Sequence, residues 1–189
     1  MTGLALKEWS AAIHALLDGR QIVLLRKGGI GEKRFALDSP GGGEFLLFPT
    51  VAHSHARRVR PEHRDLLAAA AADCRDDRVL IRSAAKVVAA LPVNRPEGLT
   101  AIDDLHIWTA DSVRADRLDF RPKHKLAVLV IQAIPLRRPV WVSRTADHAG
   151  CVSWVALPTE PQRWGSRTRP VHDDDTLASV AARVRDVLG

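Results

Sequence analysis

The residues that could bind or transform a ligand are concentrated between Arg26 and His55. The segment Lys27-Gly28-Gly29-Ile30-Gly31-Glu32-Lys33 follows a short apolar run, as phosphate-binding loops do. Its glycines would let a ligand approach backbone N–H groups, and Arg26 and Lys27 would supply positive charge. The spacing excludes a P-loop, because Arg34 stands where that motif has Ser or Thr. A hairpin turn without a ligand explains the same glycines.

A second group of candidates follows Phe48-Pro49, where a predicted strand ends. Binding residues are often carried by loops on a rigid scaffold, so Thr50 and His53 are candidates for hydrogen bonding or acid–base chemistry. His53 and His55, with His63, would be a weak zinc pattern, because no Cys or carboxylate lies nearby. The sequence therefore predicts neither a metal nor a cofactor, and a solvated histidine loop is the alternative.

The sequence lacks the familiar catalytic motifs. Asp103 and Asp104 fall in a predicted helix and would point to different sides, and no GxSxG is present. Glu44 begins a strand that would suit a metal-dependent nuclease, but the Glu-x-Lys of such an enzyme is missing. If the protein is an enzyme, the acid, base and nucleophile candidates are Lys27, Glu32, Thr50 and His53. Their pattern favours binding over catalysis.

The charge of the chain allows binding to a polyanion. The net charge is +6 and the pI is about 10, which favours association with nucleic acid. Arg57 and Arg58 form a basic run beside the histidine loop and would add a salt-dependent contribution to binding. Only six of the 28 basic residues are lysine, however, and such a bias also arises from a GC-rich genome.

Composition predicts one cytoplasmic domain over residues 1–189. The hydrophobic fraction of 46% supports a core, and no apolar run approaches the ~20 residues that span a bilayer. No secretory signal is visible at the N-terminus. Cys74 and Cys151 are far apart in sequence, which favours reduced thiols. The sequence leaves the oligomeric state open and predicts no membrane partner.

The elements that would position these residues are short strands between a few helices. Helices are predicted over 4–18, 61–75 and 96–108, and a last one after Asp173. Strands are predicted over 21–26, 34–37, 44–48, 78–91, 126–134, 140–143 and 152–157. This order predicts an α+β fold with a small, mostly antiparallel β-barrel and helices packed outside it.

Several runs of the chain are similar to the bacterial family catalogued as domain of unknown function 1802. They are Leu6-Lys7-Glu8-Trp9, Leu25–Ile30, Phe45–Thr50 with His53, and Gly150–Val155. This resemblance implies no activity. In that family, His53 would usually be followed by Gln, and here it is followed by Ser54.

A more remote resemblance is to the ASCH branch of the PUA-like superfamily. Its GxKxxExR motif aligns with Gly19, Gln21, Leu24 and Arg26, of which Gly19 and Arg26 match. The resemblance implies a PUA-like barrel that handles RNA, modified bases or small nucleosides. Some of its members are amidohydrolases that use a lysine at the place of Gln21, and this chain departs from them there.

Three hypotheses follow. In the first, a PUA-like module binds RNA or a modified base or nucleotide through Arg26, Lys27, Thr50, His53, Arg57 and Arg58. In the second, the protein is a hydrolase of a small nucleoside-like amide or a phosphodiester. In the third, it is a protein–protein adaptor that uses the loops 38–43 and 158–172.

Overall fold

The computed structural model describes residues 3–27, 43–51, 54–150, 152–157 and 167–189. Several sequence predictions concern residues outside these ranges. They are the glycine-rich segment with Glu32, the strand over 34–37, His53, and most of the loops 38–43 and 158–172.

Six strands form the sheet: β1 (Gly3–Trp9), β2 (Val23–Lys27), β3 (Phe45–Thr50), β4 (Arg78–Pro92), β5 (Leu126–Ser143) and β6 (Trp154–Leu157). The α-helices are α1 (Ser10–Leu17), α2 (His55–Arg58), α3 (Leu66–Ala72), α4 (Ala110–Val113) and α5 (Asp174–Leu188). Three 3-10 segments (Pro61–His63, Pro96–Leu105 and Ala146–His148) and a π-helical turn (Arg114–Asp119) complete the described elements. Within the described ranges, none of the helices combines the length and the apolar character needed to cross a membrane.

The strand order is β2-β5-β4-β3-β1-β6, and the sheet is mixed. The pair β1–β3 is parallel, with Trp9 opposite Thr50, while the other four pairs are antiparallel. The longest ladder joins β4 to β5, and its register shifts twice, between Ile81 and Ser83 and between Val87 and Ala89. Such irregularities bend a sheet. The two strands predicted over 126–134 and 140–143 are one bent strand, because the segment between them stays extended.

The sheet curls so that β1 approaches β2. In a flat sheet of this order, four strand spacings, or roughly 19 Å, would separate these strands. Yet the Arg26 side chain on β2 reaches the carbonyl oxygen of Lys7 on β1, and Leu24 and Leu6 share one apolar cluster. No backbone pairing joins β1 to β2 in the described ladder, so the sheet is open and the predicted closed barrel is not confirmed. The α+β class is confirmed.

The helix predicted over 4–18 is wrong in its first half. Residues 3–9 form β1, which pairs with β3 on one side and β6 on the other, and only Ser10–Leu17 is helical. Leu, Ala, Lys and Glu have high helix propensity, but tertiary pairing overrides it here. The helix does end as predicted, because Gly19 takes φ 75, the left-handed conformation that favours glycine.

The last predicted helix is confirmed as α5. Asp173 caps its N-terminus, since the carboxylate accepts the Thr176 N–H at 2.8 Å. Its buried residues form one apolar stripe, Leu177, Val180, Ala181, Val184 and Leu188. The stripe packs on the same cluster as the outward face of β2 and β5. The helix predicted over 61–75 is a 3-10 turn followed by the shorter helix α3, and the one predicted over 96–108 is the 3-10 segment Pro96–Leu105.

We expect Gly98→Ala to destabilise the protein by about 3 kcal/mol, the upper range for overpacking. A Cβ at this position would lie 2.3 Å from the Val187 carbonyl oxygen and 3.1 Å from Leu188, where α5 docks on the 3-10 segment. Urea unfolding measures the loss. Glu97→Ala is the control on the neighbouring exposed position, with an expected change within about 0.5 kcal/mol. Equal stability of the two variants would contradict the close packing at Gly98.

Candidate ligand-binding site

Two of the predicted site residues, Arg26 and Thr50, meet at Glu8 on β1. The Arg26 guanidinium donates to a Glu8 carboxylate oxygen at 3.1 Å and to the Lys7 carbonyl at 3.2 Å. The Thr50 hydroxyl donates to the Glu8 carbonyl oxygen at 3.1 Å. Glu8 was not among the sequence candidates, but it is the residue that brings β1, β2 and β3 together at this end of the sheet.

Glu8 is a buried carboxylate in an otherwise apolar position. Its side chain lies on the same face of β1 as Leu6, because alternate residues of a strand share a face. That is the concave face, and Glu8 is only 4% exposed. One carboxylate oxygen accepts the Trp9 backbone N–H at 2.8 Å and the other accepts Arg26. A buried carboxylate needs such partners, so the ion pair with Arg26 is required by burial.

A second arginine, Arg117, lies on the π-helical turn within range of the Glu8 charge. One of its terminal nitrogens donates to the carbonyl of the adjacent Asp116 at 3.3 Å, and its Nε is buried without a hydrogen-bond partner among the described residues. Burial lowers the pKa of Arg117, and the charge of Glu8 offsets only part of that effect. π-Helical turns are rare and occur frequently at functional sites.

We call Glu8, Arg26 and Arg117 the Glu8 cluster. It contains one carboxylate and two guanidinium groups, so one positive charge is uncompensated within it. Arg26 hydrogen-bonds Glu8, whereas Arg117 interacts with the same carboxylate through charge alone. The nearby pair of Arg58 and Asp116 adds no net charge, because the two opposite charges cancel. The contact is bidentate, with N–O distances of 2.6 and 3.2 Å. The Glu8 cluster is therefore suited to an anionic group.

Trp9 connects the Glu8 cluster to the surface. Its ring lies 4.3 Å from the His55 ring and 5.0 Å from the Trp108 ring, and the Arg58 guanidinium lies 5.1 Å from its centroid. The backbone N–H of Trp9 holds the Glu8 carboxylate. Arg58 is thus fixed by Trp9, Asp116 and the Ser54 hydroxyl together.

An open pocket of about 320 Å³ lies outside this aromatic group. Its walls come from α2 and α4 with the turn that follows, and they carry hydroxyls, two arginines and two aspartates: Ser54, Arg57, Arg58, Thr109, Asp111, Ser112 and Asp116. A void of about 10 Å³ behind the wall is bounded by Trp9, Trp108 and Arg117 and shares Ser112 and Asp116 with the pocket. Arg117 therefore lies directly behind the pocket, and the predicted residues Arg57 and Arg58 line it.

Lys27 does not join the Glu8 cluster. Its ammonium group donates to the carbonyls of Leu118, Arg121 and His124, at 3.3, 3.2 and 3.0 Å. These three bonds use all the protons of the group. The predicted contact of Lys27 with a phosphate stays a prediction, and the role visible in the structure is to hold residues 118–124.

His55 is part of the packing around Trp9. It is 6% exposed, and burial, with a smaller contribution from Arg58, lowers its pKa to about 4. His63 lies on the 3-10 turn Pro61–His63, where Arg60 is its neighbour at 3.3 Å. Among the described residues, no group of three or more His, Cys, Asp or Glu side chains is placed to hold a metal ion.

A family model described as domain of unknown function (DUF1802) matches residues 5–183. The chain belongs to the DUF1802 family. No curated protein matches the sequence. Among solved structures, a crystal structure of a ZmASCH mutant protein from Zymomonas mobilis is similar, with 12% identity and a TM-score of 0.44. The match covers 94% of this DUF1802 chain and 95% of the other.

Proposed function

We propose that this DUF1802 protein binds RNA or a nucleotide-like ligand through the Glu8 cluster and the adjoining pocket. The observation that carries the proposal is the buried Arg26–Glu8 ion pair at 3.1 Å, with Arg117 within range of the Glu8 charge and its Nε unpaired among the described residues. Such an excess of positive charge in a partly desolvated place favours a phosphate over water. Arg57 and the hydroxyls of Ser54 and Thr109 would contact the remainder of the ligand.

The geometry gives less support to the other two hypotheses. The Thr50 hydroxyl donates to a backbone carbonyl, and Lys27 is fully engaged, so two of the hydrolase candidates already have structural partners. Glu32 and His53 lie outside the described residues. The exposed large apolar side chains of the described parts are Val51, Phe120 and Val152, which come from three separate segments. An adaptor would use a contiguous apolar patch instead.

We expect Arg117→Gln to weaken RNA binding about tenfold, because a buried charge-assisted contact is lost. The measurement is fluorescence anisotropy with a labelled oligouridine of about 12 nucleotides, between roughly 50 and 200 mM salt. Arg57→Gln, an exposed position, should cost two- to threefold and should also make the salt dependence less steep, by roughly 0.7 in the logarithmic slope.

The matched control for these variants is Arg185→Gln, which removes the same charge from an exposed position in the last turn of α5. Its affinity should stay within twofold of the original. Thermal melting checks that Arg117→Gln is folded, and the surface variant Arg57→Gln provides the test if it is not. The proposal is wrong if the unchanged protein does not bind the RNA at low salt, or if Arg185→Gln weakens binding as much as the site variants.

A further inference from the structure

An exposed aromatic ring is presented by the segment Leu118–Lys125, which we call the Phe120 loop. Phe120 is 55% exposed, and the Arg121 guanidinium lies 5.1 Å from its ring centroid. The arginine lies over one face of the ring, and more than half of the residue's surface is exposed.

The Phe120 loop is held in one conformation from the sheet. Lys27, on β2, donates to three of its carbonyls, and the His124 N–H closes a turn on the Arg121 carbonyl at 2.9 Å. Arg121 has φ 48 and is the one residue other than glycine with a positive φ in the described part of the chain. Strained backbone of this type persists only where the surroundings enforce it, and it clusters at ligand-binding sites. The backbone that carries the Phe120 ring is therefore preorganised.

The charge around Phe120 is positive. The Phe120 loop carries three exposed cations, Arg121, Lys123 and Lys125, and one acidic side chain, Asp119, which lies 3.8 Å from the Arg114 guanidinium. The loop also adjoins the Glu8 cluster, because Lys27 and Arg26 are neighbours on β2 and the π-helical turn that carries Arg117 leads directly into the loop. An aromatic ring flanked by cations matches a single-stranded nucleic acid, in which bases stack and phosphates follow the charge.

We propose that Phe120 stacks on an unpaired base of single-stranded RNA whose phosphates lie along Arg121, Lys123 and Lys125. This rests on the proposed RNA-binding function and adds a second contact to it, outside the pocket. A membrane surface fits less well, because the other apolar side chains of the Phe120 loop are Leu118, which packs against the core, and the small Pro122.

The test is the affinity of Phe120→Ala and Phe120→Trp for labelled oligouridine and for a duplex of equal length. We expect Phe120→Ala to weaken single-strand binding about tenfold with an unchanged salt dependence, because stacking involves no phosphate. Phe120→Trp should restore the affinity, and its indole fluorescence should be quenched by the oligouridine. Duplex binding should be insensitive to both changes. Val152→Ala, at a side chain that is 49% exposed, is the matched apolar control and should bind as the original does.

The outcomes separate this inference from the proposed function. If Arg117→Gln weakens RNA binding while Phe120→Ala does not, the stacking contact is wrong and the Glu8 cluster stands. If the unchanged protein does not bind the oligouridine, both proposals fail. Loss of binding to anionic phospholipid vesicles in Phe120→Ala, with RNA binding intact, would also overturn the inference and identify the loop as a membrane contact.

Discussion

Lowering the pH from about 7 to about 5 is expected to destabilise the folded protein by about 4 kcal/mol. Burial lowers the pKa of His55 and of His106 to about 4, with smaller contributions from Arg58 and Arg60 respectively. In the unfolded chain, both histidines titrate near 6.5. Between about pH 6.5 and pH 4, the unfolded state binds up to two more protons than the folded state. The free energy of unfolding therefore decreases as the pH is lowered, by about 1.2 kcal/mol per pH unit for each histidine.

The pH window is set by these two histidines. Above about pH 7, both histidines are neutral in the folded and in the unfolded state, so they no longer make stability depend on pH. The pKa of His63 is also lowered, mainly by burial, so it acts in the same direction. The carboxylates affect stability at lower pH than the histidines do. Burial opposes ionisation of Asp73, but its hydrogen bonds to His14 and Arg82 outweigh that and lower its pKa. Its contribution is therefore fully present above the ordinary pKa of a carboxyl group and is lost as the pH falls from there through the lower pKa of the folded state.

His106→Asn tests the assignment, and urea unfolding at several pH values is the measurement. The Nδ1 of His106 accepts the Trp108 N–H at 3.2 Å, and an asparagine oxygen can take its place. We expect this variant to show about half the pH dependence of the original between pH 5 and 7. A substitution at the exposed His124 is the control and should leave the dependence unchanged. An unaltered slope in His106→Asn would contradict the burial argument.

The parts of the fold that the sequence predicted well have local signals. The stripe of α5 and its Asp173 cap depend on residues close in sequence, and the glycine that ends α1 does too. The β1 strand has no such signal, because its residues favour a helix in isolation and only β3 and β6 make them a strand. The curl of the sheet depends on the register shifts between β4 and β5, which no local pattern encodes.

About half of the candidate site could be predicted from the sequence, because only some of its residues lie in local patterns. Arg26 and Thr50 stand at strand ends with visible patterns, and Arg57 and Arg58 form a basic run. Glu8 could have been found from the alternation of Leu4, Leu6 and Glu8, had the segment been taken as a strand. The sequence pattern gave no sign that Arg117 belongs to the site, because Arg114–Asp119 resembles an exposed polar helix. The charge interaction of Arg117 with Glu8 depends on the folded structure.

The open edge of the sheet explains why the charged residues gather where they do. The edge strands are β2 and β6, and β6 pairs with β1 only over Gly3–Leu6, so beyond Leu6 the Arg26 side chain donates to the Lys7 carbonyl across the gap. A side chain thus substitutes for a missing strand pairing, and its charge requires Glu8 beside it. Because the charge of this one carboxylate is shared by Arg26 and Arg117, the gap in the sheet is also the place where we propose that an anion binds.

Glu8→Gln is expected to reduce stability by about 3 kcal/mol, the lower range for removing one partner of a buried ion pair. The amide can still accept from Trp9, but Arg26 and Arg117 lose their only carboxylate within the Glu8 cluster. The same change should strengthen RNA binding three- to tenfold, since the carboxylate competes with a phosphate for both arginines. Stability and affinity are therefore predicted to move in opposite directions. Urea unfolding and oligouridine anisotropy measure the two effects on the same preparation.

The control for Glu8→Gln is Asp104→Asn, which removes an equal charge from an exposed pair with Arg183, at 2.6 Å. An exposed pair contributes at most about 1 kcal/mol, and its loss should leave RNA affinity unchanged. If Glu8→Gln weakened RNA binding while folded, Glu8 would be orienting Arg26 for the ligand instead of competing with it. Equal effects of the two variants on affinity would mean that RNA responds to net charge alone, and that the Glu8 cluster has no special part in binding.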